Sequence, residues 1–176
     1  MAPSRKKVIL RRLDNSHLPG YLPASGLLTR EFAPSVDLLD LAGRILPIPL
    51  AEVKLISYVR DFNLDDPINP ERLTRTTFLS RPRAEGLWLR ITFPAGDQLE
   101  GLAPLDTALL DALVEDAGLY LTPPGLSGLG DARTNTHRVF VPRPAIASLQ
   151  LLAVITTPSR TVKPAKPTEP QPLLFP

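Results

Sequence analysis

The chain holds few side chains able to do acid–base or nucleophilic chemistry, and their spacing does not gather them. Histidine occurs twice, at His17 in "DNSHL" and His137 in "TNTHRV". An imidazole works as a base only beside a group it can deprotonate, and as a metal ligand only with two or three further donors. No tight His/Asp/Glu cluster surrounds either one, so both are expected to be ordinary surface residues. The stretch "GLSGLGD" (125–131) has the glycine content of a phosphate loop, but it lacks the Lys-Ser/Thr that would reach the phosphates. Ser127 is not in a nucleophile-elbow pattern. Asp65-Asp66 and Glu115-Asp116 are adjacent pairs, whose side chains diverge in an extended strand, so capping and solubility explain them better than shared catalysis. There is no cysteine, hence no thiolate nucleophile, disulfide or zinc–thiolate site. The reading is a non-enzymatic protein with no catalytic, cofactor-binding or metal-binding residue assigned.

Basic side chains are the remaining candidates. The net charge is only +2, but its placement is uneven. Arg5, Lys6, Lys7, Arg11 and Arg12 crowd the start, while Arg72, Arg75, Arg81, Arg83 and Arg90 crowd the middle. Brought together, they would form a stripe suited to phosphates, and hence to RNA or DNA. Aromatics at 6% leave few platforms for base stacking. A solvated basic edge that deters strand-to-strand aggregation accounts for the same residues. A protein partner is therefore the first expectation and nucleic acid the alternative.

The elements that would position these residues repeat. With Gly20 set over Gly101, "VILRRLDNSHLPGYLP" (8–23) matches "LRITFPAGDQLEGLAP" (89–104) without a gap. Val8, Leu10 and Arg12 fall over Leu89, Ile91 and Phe93 at period two, the clusters 14–16 and 95–97 are rich in turn formers, and Leu18, Gly20 and Pro23 recur as Leu99, Gly101 and Pro104. Each copy reads as a hairpin, with the glycine expected at a kink or bulge. "VDLLDL" (36–41) over "AGLYLT" (117–122) gives a third strand. "RILPIPLAEVKLI" (44–56) over "HRVFVPRPAIASL" (137–149) gives a strand, a short 3₁₀ turn and a last strand. The fold class expected is all-β (minor α): two tandem small SH3-like/Sm-like β-barrel repeats packed as one two-lobed unit.

The boundaries follow. A first repeat spans 1–60, a structured linker 61–86 and a second repeat 87–157. The second repeat carries a short helix at 107–117, capped by Asp106 and stopped by Gly118, and a long loop at 124–135. The linker's Phe62, Leu64, Ile68, Leu73, Phe78 and Leu79 are more apolar than a spacer needs, so it is expected to lie along both repeats. The tail 158–176 reads as disordered and Pro-rich. Pro164, Pro167 and Pro170 recur at polyproline spacing, and Leu173, Leu174 and Phe175 form an apolar end suited to a partner. No apolar run approaches the ~20 residues of a membrane helix, and the basic start lacks the pattern of a signal peptide. A cytoplasmic location is expected.

These stretches resemble an uncharacterised bacterial family of paired β-repeat domains, a domain of unknown function, with a remoter similarity to Sm-like and SH3-like small barrels. The matching pieces are "KKVILRRLDNSHLPGY", "VKLISYVRDF", "LRITFPAGDQLEG" and "NTHRVFVPRPAIASLQLL". Where the family usually has Asp-Gly in both hairpin turns, Asp14-Asn15 and Gly96-Asp97 stand here, and the loop 124–135 is longer. The resemblance implies the fold and brings no established activity.

Overall fold

Ten strands and two single 3₁₀ turns make up the computed structural model of this chain, which describes residues 5–23, 34–106, 109–114, 118–125 and 134–156. The strands are β1 (Lys6–Arg12), β2 (His17–Leu22), β3 (Ser35–Asp40), β4 (Ile45–Pro49), β5 (Val53–Val59), β6 (Gly86–Thr92), β7 (Gln98–Ala103), β8 (Gly118–Leu121), β9 (Thr136–Pro142) and β10 (Ser148–Ile155). The 3₁₀ turns, Leu50–Glu52 and Arg143–Ala145, fall at the two places where an apolar strand meets a proline. One six-residue helix, Leu109–Val114, occupies the middle of the expected 107–117. The tail and most of the loop 124–135 lie outside the described residues.

Every pairing is antiparallel, and the strands form two open sheets rather than the closed barrels expected. One sheet runs β4-β3-β2-β1-β5-β9-β8 and the other β10-β6-β7; among the described residues one isolated bridge, from Leu102 of β7 to Thr122 just past β8, links them. The hairpin turns form where turn residues permit. Arg12 N–H donates to the Ser16 carbonyl at 2.9 Å, and Phe93 N–H to that of Asp97 at 2.9 Å. Asn15 and Gly96 take the left-handed backbone each turn requires, at φ 65° and 91°. Gly20 and Gly101 mark close approach of the next strand, and the pairing of β2 with β1 and of β7 with β6 runs past each without a bulge. A Cβ on Gly20 would stand 2.6 Å from the Leu39 carbonyl oxygen, and one on Gly101 2.8 Å from Leu121 Cβ.

Two cores sit on the sheets. The first gathers Val8, Leu10, Val36, Leu38, Ile48, Val53, Ile56 and Tyr58, and the second Leu89, Ile91, Phe93, Leu99, Leu119, Leu121, Val139 and Val141. They are knitted together where β5 pairs with β9, Ile56 opposite Phe140. Phe140 reaches back into the first core and is fully buried there, while Leu55 packs against the second. On the reverse of β1, Ile9 packs with Val59 and Phe62 of the linker, so three consecutive β1 residues are buried. Removing a fully buried Phe ring costs about 3–5 kcal/mol. Phe140→Ala is therefore expected to lose about that much stability in urea titration. Unfolding should stay a single transition, because the two cores share this strand pair; two separated transitions would show them to be independent.

Candidate functional site

The segment 61–85 has no regular structure, yet it is tied down by side chains reaching its backbone. Asn135, buried at the start of β9, donates from Nδ2 to the carbonyls of Asp61 at 2.6 Å and Pro70 at 3.2 Å. Its Oδ1 accepts from the N–H groups of Asp61 at 2.8 Å and Arg60 at 3.2 Å. Backbone bonds from Glu100 N–H to the Thr76 carbonyl and from Asn135 N–H to that of Arg72 add to this, and two buried carboxylates reinforce it. Glu71 accepts two bonds from Arg11 Nη2, both at 2.9 Å, and the Thr136 hydroxyl donates to its carbonyl at 3.4 Å. Glu100, 3% exposed on β7, accepts from Phe78 N–H at 3.0 Å, Trp88 Nε1 at 3.2 Å and Arg90 Nη2 at 2.8 Å.

Two of the ten basic candidates are thus consumed in holding the fold. Arg11 and Arg90 sit in ion pairs with buried acids, and such pairs are directed inward rather than offered to a ligand. Lys6 stands 5.9 Å over the Tyr58 ring and Lys7 5.6 Å over the Phe62 ring. Arg12 buries its Nε without a hydrogen-bond partner. Arg75 is half-buried and lines a groove of ≈ 270 Å³ with Arg11, Lys54, Glu71 and Asp97. Arg5, Arg72, Arg81 and Arg83 are exposed. Of the ten, Arg11 and Arg75 meet in a groove already furnished with acids. In it lies Lys54, 5% exposed, its ammonium 2.6 Å from the Asp97 carboxylate, 2.8 Å from Asn15 Oδ1 and 5.0 Å from the Phe93 ring centre. Both hairpin turns converge on this one cation.

A different cationic cluster escapes sequence reasoning. Lys6, Arg60 and Arg138 surround His137, and burial, then these three charges, hold the imidazole below its ordinary value of 6.5. Arg138 stacks 4.0 Å over the Tyr120 ring, and Tyr58 lies 6.4 Å from His137. His137 and Arg60 also line a groove of ≈ 190 Å³ with Phe78, Pro82 and Leu102, at whose edge Thr134 buries a hydroxyl without a partner. Arg60 and Arg138 stand 78 positions apart in the chain, so only the pairing of β5 with β9 reveals their proximity.

The clamp has a pH signature. Burial alone would push the Glu100 carboxyl up, but the Phe78 N–H, Arg90 and Trp88 outweigh it and hold the group below 4.5. A carboxyl with a depressed folded-state pKa contributes stability above the unfolded value and loses it as pH falls through the folded one. Glu100→Gln is expected to cost roughly 1–3 kcal/mol near neutrality. It should also flatten the loss of stability below about pH 4.5, read from urea midpoints across the range. An unchanged acid limb would mean that other carboxylates govern it.

Among the described residues, no group of three His, Asp or Glu side chains could hold a metal ion, and no helix is long and apolar enough to cross a membrane. No curated protein and no solved structure matches the chain. A family of unknown function, DUF6982, matches residues 4–153, most of the chain's length, and it is to this family that the chain belongs.

Proposed function

We propose that this chain is a non-enzymatic protein-interaction or scaffold module, built from two copies of one small five-strand unit related to SH3-like and Sm-like barrels. The duplication is supported by matched pairings: β4-β3-β2-β1-β5 in the first half, and β10-β6-β7, bridged to β8-β9, in the second. Matching hairpin turns and matching 3₁₀ turns support it too. The third strands correspond two residues away from the sequence alignment. Leu38 lies against Gly20 and Leu121, not Leu119, against Gly101.

The interaction role rests on one observation. β5 buries six of its seven residues beneath its neighbours, whereas β10, its counterpart, is an edge among the described residues, with Leu151 54% and Val154 47% exposed. A long apolar edge strand offers a ready template for another chain. The proline-rich tail 158–176 is assigned the role of recruiting or tethering a partner, and the cytoplasm is the proposed compartment, in keeping with the cysteine-free sequence. A tagged chain is expected to retain proteins from native lysate after nuclease treatment and to lose them with Leu151→Lys. Retention unaffected by that change would remove β10 as the contact.

A second reading has its own observation. The cluster of Lys6, Arg60, His137 and Arg138 beside Tyr58 and Tyr120 combines charge with aromatic surface, as single-stranded nucleic acids require. Binding through it should weaken steeply with salt, by roughly 0.7 in log–log slope per phosphate engaged on a single strand. Fluorescence anisotropy with a labelled oligonucleotide decides: a flat response, or one unmoved by Arg138→Glu, ends this reading.

A further inference from the structure

We infer that β10 is a self-association edge, through which two copies of this chain pair antiparallel about a two-fold axis. The inference rests on the interaction reading above and names its partner. Inside the chain, the last strand of the first unit, β5, is covered by β9, the fourth strand of the second. Growth by the same rule would set β10 of one chain against β4 of the next, head to tail. The structure forbids it. β4 is "ILPIP", with Pro47 and Pro49 at alternate positions. An edge strand tolerates proline where the missing N–H faces away from its paired neighbour, and those are the donors a new strand would need. Pro47 stands where the second unit has Phe140, the residue opposite Ile56 in the internal pair.

With β4 blunted, β10 retains a free edge among the described residues, and its features suit a second copy of itself. Among the described residues it is the longest strand, eight residues with a bulge between Leu151 and Ala153, and none of them is charged, so two copies meet without like-charge repulsion. Leu151 falls where the first unit has Tyr58, which is 6% exposed beneath β9. The missing cover is therefore a strand, and a strand from a two-fold mate supplies it while closing the assembly at two. The chain's own tail is a poor substitute: Pro158, Pro164, Pro167, Pro170 and Pro172 interrupt any donor row it could offer.

The test is sedimentation of the full chain at tens of micromolar, with Leu151→Lys as the edge variant. A dimer is expected for the natural sequence, and at least tenfold weaker association for the variant, with its strand content by circular dichroism unchanged. Because the chain has no cysteine, single-Cys variants across 148–154 report the axis directly. Interchain disulfide yield should peak at one position and fall away on both sides. A monomeric full chain, a Leu151→Lys protein that still dimerises, or a yield without a peak would each overturn the inference. Dimerisation appearing only after deletion beyond Thr157 would overturn it as well, by making the tail the resident cover. Should the chain be monomeric while Leu151→Lys still releases nuclease-resistant proteins, the self-association falls and the interaction role stands. A dimer whose captured proteins all vanish with nuclease gives the converse.

Discussion

The pairing of β5 with β9 is the contact on which the rest of the molecule depends. The five strands β1 to β5 come from residues 6–59 alone, a length at which a core is marginal. Joining β5 to β9 makes a seven-stranded sheet and carries Phe140 into the first core. It also creates the surroundings of His137, since Arg60 and Arg138 approach one another only across that pair. The linker then has a fixed seam to follow, with Asn135 waiting at the entry to β9.

Order in the linker has an unusual origin. Without a ladder of its own, its backbone groups must find partners elsewhere or stay in water. Asn135 satisfies two carbonyls and two N–H groups of residues 60–70, and Glu100 takes the N–H of Phe78. Side chains thus do much of what neighbouring strands do for a sheet, with two backbone donors, Glu100 and Asn135 N–H, completing the hold. That leaves Arg11 and Arg90 as parts of the frame, neutralised by the acids they orient.

Local chemistry was legible in the sequence and non-local chemistry was not. Hairpin turns at 14–16 and 95–97, strands of period two and a 3₁₀ turn after each proline kink are written within a few residues. Closure into barrels was expected by analogy of pattern, and the open sheets show how little pattern says about which edges meet. Strand β8 illustrates a related blindness: a slip of two residues returns every side chain to the same face, so periodicity cannot tell whether Leu119 or Leu121 stands against Gly101. The engagement of Arg11 was hidden for the same reason. Glu71 lies 60 positions from Arg11, and no local signal links them.

Phe140 has a consequence for the order of events in synthesis. The first five strands leave the ribosome roughly eighty residues before it does. At about 5–20 residues per second, β5 waits of the order of 4–16 s with its edge bare and its core short of one aromatic ring. For that interval the nascent chain carries two unpaired edges, β4 and β5. Pro47 and Pro49 disarm the first, leaving β5 as the one the cell must keep from other growing chains.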